Sequence, residues 1–257
     1  MQQDQGTDLS SSTTLVFIHG WGMNSGVWQP FLRQLRPGLS VQCIDLPGYG
    51  TAHDAHIEDY QLPALVDYVA ARLPEKAVLV AWSMGGLVAQ ALAADNHPKV
   101  KGLITLASTP KFQADTDWPG IQPNVLQLFT KQLNLAYDQT LQRFLAIQMM
   151  GTPNAKSFIR EVSESIHAFP PPSHHALNKG LDILREVDLR AQLCRIQVPT
   201  LRLYGRLDSL VPHDAISLIQ DCHPRSEYKC YEHVSHAPFI THPEWLAQDI
   251  IEFWEKI

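Results

Sequence analysis

Cysteine is sparse: the 257-residue chain has four, at 43, 194, 222 and 230, with no close Cys-x-x-Cys pair. This spacing argues against a zinc knuckle or a disulfide framework and suits small buried hydrophobes in a reducing compartment. No uninterrupted apolar run of about 18 residues occurs, and Met1-Gln2-Gln3-Asp4 has no basic region leading into one, so no membrane span and a cytoplasmic location are expected. Positive charge is also in the minority. The 20 Lys and Arg against 26 Asp and Glu leave a formal charge of -6, which argues against nucleic acid as the main partner. Twelve histidines invite a metal, yet His53 and His56 share a short polar loop, His174 and His175 are adjacent, and no His-Glu-x-x-His helix occurs. Gly48-Tyr49-Gly50 lacks the third glycine of a dinucleotide loop. Neither a metal nor a cofactor is expected.

What is present is alternation. Leu15-Val16-Phe17-Ile18, Val41 to Asp45, Ala77 to Ala81, Gly102 to Ala107, Thr200 to Gly205 and Tyr228 to Tyr231 read as strands. Most are continuous apolar runs, as strands covered on both faces require. Helical spacing fills the intervals, over Val27 to Leu35, Tyr60 to Leu73, Met84 to Ala94, His213 to Asp221 and Trp245 to Trp254. This predicts an α/β fold with a mostly parallel central sheet and helices on both faces. The rhythm breaks between about Pro110 and Arg190. There, Val125 to Leu133, Tyr137 to Met149 and Ala155 to Phe169 read as successive amphipathic helices with no persuasive strand. The expected organisation is a core of residues 1–109 and 191–257 with a helical lid of residues 110–190 inserted in it.

Ala81-Trp82-Ser83-Met84-Gly85-Gly86 falls where about the fifth core strand gives way to a helix. A serine on such a sharp turn projects its oxygen above the sheet, and small neighbours relieve the crossing of backbones. The first small position is alanine, one methyl group larger than the usual glycine. Serine between small residues is also a common turn or cap; the strand before and helix after favour a nucleophile. The Met84 amide would then face the negative oxygen formed by attack at Ser83, with Trp21 of His19-Gly20-Trp21-Gly22 as the second donor. A hydroxyl needs a base and the base needs an orienting acid. Asp208, just beyond the strand Thr200 to Gly205, is the candidate acid. Its alternative role, capping the helix near His213, is poorly placed because that helix starts several residues later. Both His233 and His236 follow the last strand. His236 is preferred as base because it lies in a small-residue loop where the ring can turn inward, and spacing alone leaves His233 open.

The chain resembles the pimeloyl-acyl-carrier-protein methyl ester esterases of biotin biosynthesis, a branch of the α/β-hydrolase superfamily. The likeness runs from Leu15 through the last helix. It is carried by His19-Gly20-Trp21-Gly22, Asp45-Leu46-Pro47-Gly48, Trp82-Ser83-Met84-Gly85-Gly86, Asp115-x-Asp117-Trp118-Pro119-Gly120-Ile121, Arg143-Phe144-Leu145-Ala146, Leu203-Tyr204-Gly205-Arg206-Leu207-Asp208 and His236-Ala237-Pro238-Phe239. The tracts inside the insertion are far more specific than the serine turn.

The resemblance implies an α/β-hydrolase fold with Ser83, Asp208 and His236 catalytic, and substrate contacts from Trp21, Met84 and Phe144. It also implies a basic lid surface of Arg143, Lys156 and Arg160 that receives the phosphopantetheine and the acidic acyl-carrier protein. Lysine replaces arginine at 156, and Gln139 stands where a fourth arginine is expected. The implied reaction hydrolyses the methyl ester of the carrier-bound pimeloyl chain and leaves the carrier thioester intact. A short-chain carboxylesterase or a carbon–carbon bond hydrolase could use the same three residues, and a silent ligand-binding protein could keep the fold.

Overall fold

The computed structural model describes residues 13–135, 139, 140, 143 and 155–257; the side chains at 134, 155–159 and 161 fall outside that description. The apolar runs become β1 Thr14–Ile18, β2 Val41–Ile44, β3 Ala77–Trp82, β4 Val100–Leu106, β5 Thr200–Gly205 and β6 Glu227–Tyr231. They form one sheet in the order β2-β1-β3-β4-β5-β6, with every neighbouring pair parallel. All six residues of β3 are buried, so both faces of the sheet are covered there. The edge strands β2 and β6 carry exposed residues, which is why Gln42, Glu227 and Lys229 are tolerated in them.

The helices are α1 Gln29–Leu32, α2 Leu62–Ala70, α3 Met84–Ala94, α4 Pro123–Leu135, α5 Ala155–His167, α6 His174–Glu186, α7 Ala215–Cys222, α8 Pro238–Thr241 and α9 Pro243–Trp254. The Ala- and Leu-rich α3 buries every residue except Ala91, filling the space beside the sheet. From β1 the chain steps out to β2, then crosses back to β3 on the other side of β1. Loops leaving β1 and β3 therefore part from each other at the carboxyl ends of adjacent strands. Open parallel sheets place their ligand crevice at such a switch point.

Between β4 and β5 the described residues contain no strand, only isolated bridges pairing Gln113 with Ile121 and Asp115 with Trp118. The two ends of this segment meet: the Leu189 amide donates to the Pro110 carbonyl at 2.9 Å. Lys111 lies 3.5 Å from Asp188, Arg190 lies 3.6 Å from Asp115, and the Arg190 guanidinium covers the Trp118 ring at 5.2 Å. Leu126, Val162, Ile166, Leu177, Leu181 and Leu184 join the same buried cluster as the sheet.

Three features differ from expectation. The stretch from Val27 to Leu35 is a 3-10 turn over Ser25–Trp28 followed by the single turn of α1; Asn24 caps the first, and Pro30, lacking an amide proton, sits at the start of the second. The serine turn follows the third strand, because only β1 and β2 precede it among the described residues. Of the helix expected over Tyr137 to Met149, only 139, 140 and 143 are described, all helical. Helix α6 had no counterpart in the sequence reading, where the prolines at 170–172 and Gly180 masked an apolar face at 176, 177, 180, 181, 183 and 184.

Candidate active site

Ser83 stands between β3 and α3 with φ 54° and ψ -124°, a conformation that costs a non-glycine residue on the order of 1–3 kcal/mol. Several contacts hold it there. Its amide donates to the Leu106 carbonyl at 3.0 Å, and its own carbonyl accepts from the Ser108 hydroxyl at 2.8 Å and the Gly86 amide at 2.9 Å. The hydroxyl of Ser83 caps nothing, although the residue occupies the cap position of α3. A helix cap is thus not what this serine supplies. Neighbouring space is minimal: a Cβ at Gly20 would sit 3.0 Å from the Ser83 Cβ, and one at Gly85 would strike the His19 carbonyl oxygen.

Asp208 and His236 come from loops after β5 and β6. The loops are joined by bonds from the Arg206 amide to the Tyr231 carbonyl and from the Leu207 amide to the Val234 carbonyl, both 2.9 Å. Gly205 lets them touch, since a Cβ there would meet the carbonyl oxygens of Val234 and Ser235. Asp208 divides its oxygens between two tasks. Oδ1 accepts from the amides of Leu210 and Val211 at 2.8 and 3.0 Å, and Oδ2 lies 2.7 Å from His236 Nδ1. The capping role doubted from spacing is therefore partly real, but it caps the local turn rather than α7.

β6 lies three strands from β3, about 14 Å at ordinary strand spacing, so the His236 loop must reach back across the sheet. Trp82 makes that connection: its indole N–H donates to the His236 carbonyl at 2.8 Å, and the two rings are 5.7 Å apart. His236 is thereby tied to the residue immediately before Ser83. With Nδ1 donating to a carboxylate, Nε2 is left as the basic nitrogen. It is buried without a hydrogen-bond partner. Ser83 and His236 are 3% and 1% exposed, whereas His233 faces solvent.

Trp21 and Met84 are both buried. Met84 opens α3, so its own amide has no acceptor within the helix and sits at the positive end of the helix dipole. The turn bearing Trp21 is held from below by His19. The Leu46 amide donates to His19 Nε2 at 3.0 Å, so the proton sits on Nδ1 and is donated to the Gly20 carbonyl at 2.8 Å. Burial pushes the His19 pKa down, against the opposing pull of Asp45 and the Gly20 carbonyl. Asp45 in turn accepts from the amide and hydroxyl of Ser25 and from the amide and hydroxyl of Thr51 at 2.5 to 3.0 Å. It thereby pins the loops after β1 and β2 together.

Phe144 lies outside the described residues, as does the side chain of Lys156, whose backbone belongs to α5. Gln139 and Arg143 are exposed. Arg160 is exposed on α5 with its Nε 3.7 Å from Glu164 Oε1, so part of its charge is answered locally by a weak surface pair. No group of three or more metal-ligating side chains occurs among the described residues, and no described helix is long and apolar enough to cross a membrane.

The model of the alpha/beta hydrolase fold family matches residues 13–243. The chain is 45% identical over 245 residues to the pimeloyl-[acyl-carrier protein] methyl ester esterase of Pseudoalteromonas atlantica, covering 95% of each chain. It is 41% identical over 254 residues to that of Vibrio vulnificus, covering 99% of this chain and 96% of the relative. Among solved structures, an esterase from Exiguobacterium antarcticum superposes with a TM-score of 0.81 at 21% identity over 95% of this chain and 92% of that one. A bromoperoxidase from Bacillus anthracis gives 0.83 at 18% identity over the same shares. Both likenesses concern the fold.

Proposed function

The chain belongs to the pimeloyl-[acyl-carrier protein] methyl ester esterases on the alpha/beta hydrolase fold, and from that membership we propose that it hydrolyses the methyl ester of a pimeloyl chain carried on acyl-carrier protein. The observation that carries the chemistry is the buried Asp208–His236 pair at 2.7 Å, whose free Nε2 is tied beside the strained Ser83 turn.

In the proposed reaction, Ser83 Oγ attacks the ester carbonyl as its proton passes to His236 Nε2. Asp208 keeps the imidazole in the tautomer that can accept and stabilises the resulting imidazolium. The amides of Trp21 and Met84 receive the negative oxygen of the tetrahedral intermediate. His236 returns the proton to departing methoxide, methanol leaves, and a pimeloyl ester on Ser83 remains. Water, deprotonated by the same nitrogen, attacks that ester; collapse releases the carboxylate and restores the serine. The carrier thioester at the far end is untouched, because selectivity follows which carbonyl reaches the two amides. No metal or cofactor enters this sequence. On this reading Arg143, Lys156 and Arg160 receive the acidic carrier, steering it by charge, and Phe144 contacts the chain.

The test is a side-by-side rate comparison of methyl pimeloyl-carrier protein and short nitrophenyl esters, with Ser83→Ala as the dead control. Strong preference for the carrier substrate, reduced by Arg143→Glu or Arg160→Glu while small esters turn over as before, is the expected result. Equal losses on both substrates would remove the docking assignment, and equal rates for the wild type would make the protein a general carboxylesterase.

A further inference from the structure

Gly180 is out of place in α6. Glycine is a poor helix former, yet it lies on the buried face of this 13-residue helix, between Leu177 and Leu181. A Cβ there would sit 2.6 Å from Trp21 Cδ1, 3.0 Å from Trp21 Nε1 and 3.3 Å from Met84 Sδ. Those two residues are the ones whose amides the proposed reaction uses. One turn earlier on the same face, the Leu177 carbonyl accepts the Trp21 indole N–H at 2.8 Å, away from water.

The two observations have one cause. Helix residues three apart stack on the same face, and each Cα–Cβ bond leans toward the amino end. A side chain at 180 would therefore lean over the Leu177 carbonyl, and its absence leaves a second lone pair of that oxygen open to the indole. The helix itself is anchored. The Ser173 amide donates to the Gly48 carbonyl at 2.8 Å, and the Tyr49 hydroxyl donates to the Ala176 carbonyl at 3.2 Å. Trp21 is flanked by Gly20 and Gly22, the latter with φ 75°, neither of which has a side chain to pack. His19 holds the turn from below through the Gly20 carbonyl, and the indole is the side chain that grips it from the α6 side.

We propose that Gly180 and the Leu177 carbonyl are positioning elements of the oxyanion site, holding the Trp21 indole so that its backbone amide meets the charge formed at the reacting carbonyl. The last helix of the insertion is then a fixed part of the reaction centre. This rests on the reading of Ser83 as nucleophile with Trp21 and Met84 as donors.

The experiment is a double-mutant cycle of Gly180→Ala and Trp21→Phe, with kcat, KM and the pH–rate profile measured on a nitrophenyl ester and thermal midpoints alongside. Phenylalanine removes the N–H and the edge of the indole that an alanine Cβ would meet. Gly180→Ala is expected to lower kcat about 10- to 100-fold, with KM and the pH profile little changed and the midpoint moved by only a few degrees, since the stability that alanine adds to the helix offsets part of the cost of overpacking against the indole. In the Trp21→Phe background the same change is expected to cost about twofold or less. Unchanged kcat in folded Gly180→Ala, or equal losses in both backgrounds, overturns the proposal. Should Gly180→Ala not fold, Trp21→Phe alone decides: a loss in kcat at constant KM supports the assignment, and full activity refutes it. Wild-type protein that a fluorophosphonate fails to label at Ser83 would instead overturn the underlying reading of the site.

Discussion

Asp208→Asn separates the chemistry of the carboxylate from its part in folding. Oδ1 is committed to the amides of Leu210 and Val211, so an asparagine must keep its oxygen there. Its amide nitrogen then occupies the Oδ2 position, 2.7 Å from His236 Nδ1. Two N–H groups cannot face each other at that distance, so His236 must present a lone pair on Nδ1 and carry its proton on Nε2. The nitrogen that accepts from Ser83 in the proposed reaction becomes a donor. Forcing this tautomer in a serine triad lowers kcat about 10⁴-fold, about 5.4 kcal/mol of transition-state stabilisation. The turn bonds survive, so the thermal midpoint should move by only a few degrees. Asp208→Ala, which strips both amides of their acceptor, should lose a comparable rate and about 1–3 kcal/mol of stability as well. Steady-state turnover of a nitrophenyl ester, the rate of fluorophosphonate labelling and a melting curve for each variant make the comparison. A folded Asp208→Asn protein within about tenfold of wild-type kcat would refute the assigned tautomer.

Gly205→Ala should push the His236 loop away, because the new methyl meets the Val234 and Ser235 carbonyl oxygens; kcat should fall together with about 1–3 kcal/mol of stability, and an unperturbed variant would show that the loop contact is dispensable. His223 is buried with its pKa lowered to about 4 from 6.5 by desolvation, then by Arg202 and Arg225. Between those values the unfolded chain binds a proton that the folded one refuses, so stability is full above about pH 6.5 and falls by up to about 3 kcal/mol toward pH 4. Urea midpoints across that range should show the decline in wild type and a shallower one in His223→Gln, with His19, also held low by burial, supplying a remaining slope in the same direction; parallel slopes would contradict this. Dialysis against EDTA should leave esterase activity unchanged, and activity restored only by an added divalent ion would break the serine mechanism.

The sheet was legible because its strands are buried on both faces: Leu15 to Ile18 and Ala77 to Ala81 show no polar residue to confuse with a helix face. That Ser83, Asp208 and His236 lie at one edge of the sheet was legible because a parallel sheet puts the loops after its strands together, so three such positions far apart in sequence share one edge. What could not be read is contact between side chains and distant backbone. The bond from Trp21 to Leu177 spans 156 residues and the one from Trp82 to His236 spans 154, and neither leaves a periodicity. Helix α6 was missed for a related reason. Gly180 counts against a helix by propensity and is explained only by the indole it faces, while the better signal, Ser173 accepting from the Ala176 amide just after the prolines, was available.

The positive φ of Ser83 sets durability against turnover at a single position. Glycine takes that backbone angle without steric penalty, so a Ser83→Gly chain would relax the turn at the moment it lost the nucleophile proposed for it. Screens that reward heat resistance alone would drift toward such inert, comfortable sequences, and any effort to harden this protein has to leave the turn under tension.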